Sequence, residues 1–395
     1  MKAVIFAGGE GRKMFPFTDS RPKAMLRIAN KPLVEHVLLT AIEAGLNDFV
    51  FIIGYRSEQI RDYFGDGSKW GVKITYRSQE EPVGTSDALN HARDILKDPF
   101  VVIHGDVVPD AESLKEIINC NGYAMGVKPM TDTRDFGTVI VEDGIAKKII
   151  EKALVPESNI VNTGIYKLDK AVFDAIDNTD ISIRGEYELT ESLQTFIESG
   201  AKIKCIEMKK WLSITHPWDI LTMTEQYVPA TLENEGTVEE NVHIDGNVSI
   251  GKGSVIRAGV YITGTVIIGE NCDIGPYCRI RGTTTIGNNC HFGSFVDMKN
   301  SIIMDGSKVP HLNYIGDSVI GENCNFGAGS KIANLRFDHK DIGQSGRHKL
   351  GALVGDNVNV GINACINAGT IIGNDAIIGP GAVVSQNVMP KSKVF

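Results

Sequence analysis

Along the first 227 residues, short apolar runs alternate with stretches of helical spacing. "MKAVIFAGG" at the start, "DFVFII" and "FVVIHGD" are continuous apolar runs of strand length. Leu33 to Ala44 and Ala88 to Leu96 carry helical spacing between them. Continuous rather than alternating runs predict a parallel sheet covered on both faces. The alternation predicts a doubly wound α/β domain, with ligands outside the carboxyl ends of its strands.

After a stretch that reads as a linker, Val228 to Glu240, the period changes to six. Aliphatic or large apolar residues recur from Ile244 through Ile250, Ile256 and onward to Phe292 and Met298. The series resumes at Ile320, Phe326 and Ile332, and again from Val354 to Val384, often with glycine next in sequence. A six-residue repeat predicts a parallel β-helix over residues 241–395, one aliphatic residue pointing inward per flat face. Cys272, Cys278, Cys290 and Cys324 each lie four places after a repeat aliphatic, where a small side chain fits inside the coil. They read as stacked core residues rather than redox or metal groups. The ladder is interrupted at Lys299 to Val319 and Ala333 to Leu353, and both breaks are expected to be loops that carry a site.

Composition narrows the class. A length of 395 residues suits two or three domains, and a net charge of −9 argues against a general nucleic-acid binder. The seven cysteines show no CxxC spacing, so structural zinc is not expected. No apolar run approaches the ~20 residues that span a bilayer, and the N-terminus turns to glycine and charge too soon for a signal peptide. A cytoplasmic protein with no membrane partner is the expectation.

The candidate chemistry begins at "AGGEGRKMFPFTDSRPK", where glycines follow a strand and Arg12, Lys13, Arg21 and Lys23 follow the glycines. Bare backbone N–H groups and cations are what a phosphate needs. Together with the second-half repeats, this resembles the GlmU-like bifunctional sugar-1-phosphate nucleotidylyltransferases and acetyltransferases, especially their archaeal form. The resemblance covers nearly the whole chain and implies a left-handed parallel β-helix behind a nucleotidyltransferase domain. It implies that residues 1–227 join UTP or dTTP to a sugar 1-phosphate, releasing pyrophosphate. Gly8, Gly9, Gly11, Gln79, Gly84 and Thr85 would then bind the nucleotide, with Lys23 and Lys13 at the phosphates. Asp106 would hold Mg2+, and Glu151, Lys152, Asn162 and Glu186 the sugar phosphate. Two positions depart from the family pattern. Lys13 stands where it has an arginine, keeping the charge without the bidentate fork. Ser213 in "WLSITHPWD" stands where a second carboxylate would meet the metal.

For the second half the resemblance implies transfer of an acetyl group from acetyl-CoA to an amino sugar 1-phosphate. His311 would be the general base, a task suited to a side chain that titrates near neutrality. Arg281 and Lys299 would bind phosphate, and Tyr314 and Asn325 the substrate and its acetyl. Asn334 and Lys340 would serve a neighbouring subunit of a homotrimer, and Ala328 would contact acetyl-CoA. Leu335 stands where the bacterial form has an aromatic residue. A second reading remains beside the bifunctional one: an acetyltransferase whose N-terminal domain only binds nucleotide sugars. The sequence leaves open uridine against thymidine and the identity of the hexose.

Overall fold

Three strands of the first half end level with one another. In a computed structural model describing residues 1–97, 99–152, 155–227 and 233–395, β1 (Lys2–Phe6) runs parallel to β2 (Asp48–Ile53) and to β4 (Phe100–His104). Phe6 lies opposite Ile52 on one side and His104 on the other. β3 (Lys73–Ser78) continues the parallel set on the outer side of β2. The segments after Phe6, Ile53, Ser78 and His104 therefore leave the sheet along one edge. This register places the glycine loop, Gln79 and Asp106 side by side.

Beyond β4 the sheet is not parallel throughout. The other strands are β5 (Tyr123–Pro129), β6 (Thr138–Glu142), β7 (Ile145–Ile150), β8 (Ile160–Leu168) and β9 (Ile203–Glu207). Among the described residues the order is β3-β2-β1-β4-β8-β5-β9-β7-β6. β8 is antiparallel to both β4 and β5, and β6 and β7 form a hairpin. The hairpin closes at Asp143-Gly144, both with positive φ (51° and 75°), the backbone that a two-residue turn between twisted strands requires. The domain is the expected α/β fold, with a mixed sheet in place of the expected parallel one. Helical spacing at Ala88–Leu96 resolves into an α-helix, Thr85–Asn90, and a 3-10 turn, Arg93–Ile95. Ala88, Leu89, Ala92 and Leu96 are buried all the same. The apolar spacing marked a packed face rather than one continuous helix.

The second half is a parallel β-helix. Short strands stack in register, Val255–Ile256 on Asp273–Ile274 on His291–Phe292, and onward to Lys393–Val394. The six-residue series from Ile250 to Val384 fills the interior, and the four expected cysteines are buried with it. Ile244 of that series is substantially exposed (39%); among the described residues its strand, His243–Ile250, pairs along its length with one neighbour, Tyr261–Ile268. The first break is not a loop. Ile302–Ile303, Lys308–Val309 and Tyr314–Gly316 are strands, and Ile303, Val309 and Ile315 are buried in the ladder. The phase slips because Met298 to Ile303 and Ile315 to Ile320 are spaced five apart, one residue short at the same corner of successive coils. The second break does leave the ladder, and its feet are pinned where Leu350 N–H donates to the Asn334 carbonyl at 3.1 Å.

By contacts the chain separates into two units. One is Met1–Gly11, Arg21–Leu26 and Pro32–Ser213; the other is Arg12–Ser20, Arg27–Lys31 and Ile214–Phe395. Residues 228–232 of the expected linker lie outside the described residues. Among the described residues no helix is long and apolar enough to cross a membrane.

Candidate functional site

At the carboxyl edge of the sheet the backbones crowd together. A Cβ on Gly8 would lie 3.1 Å from Gly54 N, and one on Gly54 would lie 2.9 Å from both Gly8 O and Gln79 O. Gly9 has open space on its Cα, and Gly11 has φ 74°. Gly84, with φ 135°, admits no side chain, since a Cβ would sit 2.2 Å from Tyr187 O. The Thr85 hydroxyl accepts the Leu189 N–H at 2.8 Å, tying two helices. Lys13 lies in a short 3-10 turn, Arg12–Met14, of the second unit.

Lys23 Nζ donates to Asp106 Oδ2 at 2.6 Å. Burial alone would raise the Asp106 carboxyl, but Lys23, His104 and a backbone N–H together hold it below the usual carboxylate range. The strand Trp211–Ser213 pairs antiparallel with Val107–Pro109, putting Ser213 opposite Val107, next to Asp106. The place where the resemblance expects a second carboxylate is thus beside Asp106, and a hydroxyl fills it. One ionised carboxylate fits an Mg2+ that takes most of its ligands from substrate phosphates and water. Among the described residues no group of three or more His, Cys, Asp or Glu is gathered for a metal. Asp219 has a structural task, accepting the Thr215 and His216 N–H groups at 2.8 and 2.7 Å.

Sequence reasoning missed two side chains here. His104 lies beneath Asp106 with its Nε2 sealed and unpartnered, and burial pushes its pKa down, so it is neutral. Gly164 makes room for that ring, since a Cβ there would come within 2.7 Å of it. Glu188 is the second. Glu186 is exposed, whereas Glu188 is 4% exposed and shares Arg184 with Glu151, at 3.0 and 3.4 Å. Burial and the Glu151 charge push the Glu188 carboxyl up. No spacing in "GEYELT" marks it: Gly185 to Tyr187 are exposed, and burial begins at Glu188, just before the helix Leu189–Glu198. Lys152 pairs with Glu151 at 3.3 Å. The Asn162 amide is used locally, donating to Tyr166 Oη at 2.6 Å and accepting from Gly164 N–H at 3.0 Å.

In the β-helix the two short corners build a second cluster. Arg281 stacks directly on Lys299, and Asp297 on Tyr314. Each cation already has a carboxylate: Arg281 with Asp297 at 3.3 Å and Lys299 with Asp317 at 3.7 Å. Asp317 is nearly sealed and also accepts from Asn300 and Asn334. Gly316 is bare where Tyr314 Oη and Asn334 Nδ2 would each lie 2.7 Å from a Cβ. Burial keeps the Tyr314 phenol above its usual pKa, so it stays a donor. His311 is exposed at the corner between the two sheets, its Nδ1 over the bare Cα of Gly293. Asn334 therefore sits in its own chain's cluster, while Lys340 is exposed on the outer loop. Asn325 belongs to the other sheet of the coil, and the Ala328 carbonyl accepts from Asn363 N–H at 2.9 Å.

Known proteins divide in the same way. A family model for nucleotidyl transferases matches residues 2–228. Models for the GMPPB C-terminal domain and for a hexapeptide repeat of succinyl-transferase match residues 262–374 and 237–264. A solved structure of a putative glucose-1-phosphate thymidylyltransferase from Bacillus anthracis, in complex with a sucrose, superposes with TM-score 0.53 at 27% identity, covering 57% of this chain and 94% of that one. The class is thus a nucleotidyltransferase fold joined to a hexapeptide β-helix. A bifunctional GlmU protein of Methanococcus maripaludis is 41% identical over all of this chain and 97% of its own length. A bifunctional sugar-1-phosphate nucleotidylyltransferase/acetyltransferase of Sulfurisphaera tokodaii is 38% identical over 98% of each. The chain belongs to this GlmU-like family of bifunctional nucleotidylyltransferase/acetyltransferases.

Proposed function

We propose that residues 1–227 condense UTP or dTTP with a sugar 1-phosphate and that residues 241–395 acetylate an amino sugar 1-phosphate, with 228–240 as linker. The observation that carries this reading is likeness to bifunctional relatives along the whole chain. In the first reaction a phosphate oxygen of the sugar attacks the α-phosphorus, the α–β bond breaks, and pyrophosphate leaves. Gly8, Gly9 and Gly11 offer backbone N–H groups to the phosphates, and Lys23 and Lys13 neutralise their charge. Gln79 and Gly84 meet the base; Glu151, Lys152, Asn162 and Glu186, together with Glu188, meet the sugar phosphate. Asp106 would hold Mg2+, which supplies charge neutralisation at the reacting phosphates.

In the second reaction the amino nitrogen attacks the thioester carbonyl, its proton passes to His311, and the coenzyme A thiolate leaves. Arg281 and Lys299 take the substrate phosphate, exchanging some of their pairing with Asp297 and Asp317 for it. Tyr314 and Asn325 orient the amine and acetyl, Ala328 lies along acetyl-CoA, and Asn334 and Lys340 complete the site in a homotrimer. Cytoplasmic location belongs to the proposal, since its nucleotide and thioester substrates are cytoplasmic metabolites. His311→Ala tests the assignment. Acetylation of glucosamine 1-phosphate should fall by roughly the 10²–10⁴-fold of a lost general base while pyrophosphate release holds. Acetylation at the wild-type rate would remove His311 from the role.

A further inference from the structure

Gln79 stands at the carboxyl edge, next to Gly8 and Gly54, and its side chain is fixed in one sense. Its Nε2 donates to the Gly84 carbonyl at 2.9 Å and to Asp87 Oδ2 at 2.8 Å. Both partners are acceptors only, so the amide cannot be turned without losing both bonds. Its Oε1 takes no hydrogen bond from the described residues, and it is not among the sealed, unpartnered polar atoms of the fold. The side chain therefore offers a lone acceptor at the edge where a ligand binds. Asp87 is itself seated on the first turn of the helix Thr85–Asn90, with His91 Nε2 3.3 Å from the same oxygen.

We propose that Asp87 is a positioning residue for base selection: by accepting a hydrogen bond from the Gln79 NH2 it keeps the amide from turning over, and so leaves Gln79 Oε1 to accept a ring N–H. Uracil and thymine carry that donor at N3, whereas cytosine carries a lone pair there and meets oxygen with oxygen. This rests on the reading of residues 1–227 as a nucleoside triphosphate site. Without Asp87 one of the two locks is gone, and the amide can present its NH2 to cytosine.

The test is calorimetric titration of the full chain with UTP and with CTP, a readout that needs no turnover. Wild type should bind UTP more tightly. In Asp87→Ala the UTP-over-CTP ratio should shrink roughly 3- to 10-fold, the worth of one neutral hydrogen bond. Asp87→Asn, whose Oδ1 still accepts, should restore the ratio to within about twofold. A structural role alone would weaken both nucleotides together and leave the ratio in place. Should Asp87→Ala not fold, Gln79→Met, which removes the amide and keeps its length, should abolish the preference. An unchanged ratio in Asp87→Ala, or equal binding of UTP and CTP by wild type, overturns the proposal. Selective UTP binding without pyrophosphate release would leave the proposal standing and sink the transferase reading instead.

Discussion

Asn313 lies inside the β-helix two residues after His311, and neither polar atom of its amide has a partner. The residue is 2% exposed. It occupies the inward place four after Val309, with Val296 at the equivalent place on one neighbouring coil and Ser330 on the other. Ser330 gives its one proton to the Gly327 and Gly361 carbonyls at 3.0 and 2.9 Å, so it has no donor for the amide oxygen. A buried polar group left without a hydrogen bond costs about 1–3 kcal/mol. Asn313→Val replaces it with the residue that already fits one coil away. The gain should be of that size, which for a unit of this length moves the melting midpoint upward by roughly 2–12 °C. Scanning calorimetry of both proteins at matched concentration reads it directly. A midpoint that stays or falls would refute the reasoning, and would mean that a buried water holds the amide.

Three further outcomes follow from the sites. Ser213→Asp places a carboxylate beside Asp106, and unit charges ~4 Å apart attract by about 1 kcal/mol even in water; the Mg2+ concentration for half-maximal pyrophosphate release should fall about tenfold, and an unmoved midpoint would place the metal elsewhere. Arg281→Ala or Lys299→Ala should chiefly raise the KM for the amino sugar phosphate with kcat nearly kept, so a kcat loss at constant KM would count against phosphate binding. Sedimentation at micromolar concentration should give a trimer, and a monomer would remove the shared acetyl site.

The sequence made the architecture legible where one physical rule dominates. Six-residue spacing is imposed by flat β-helix faces, so Ile250 to Val384 could be placed inward without coordinates. Where a rule was relaxed by one residue, reading failed. The five-residue steps at Met298–Ile303 and Ile315–Ile320 looked like an interruption, yet the ladder continues through them and the shortened corners stack Lys299 beside Asp317. Continuous apolar runs do not distinguish a mixed sheet from a parallel one, although Asp143-Gly144 signals a hairpin. Glu188 and His104 were missed for another reason. Their significance comes from burial and from neighbours far along the chain, Arg184 with Glu151 and Gly164, which spacing does not reveal.

The proposed function requires one chain to carry out both reactions. The most direct test follows pyrophosphate release and thiol release in a single purified preparation. UTP or dTTP would be supplied with a panel of sugar 1-phosphates for the first, and acetyl-CoA with glucosamine or galactosamine 1-phosphate for the second. Both products should appear, the first dependent on Mg2+ and the second indifferent to it. Thiol release without pyrophosphate from any pair would contradict the account and leave residues 1–227 a binding module.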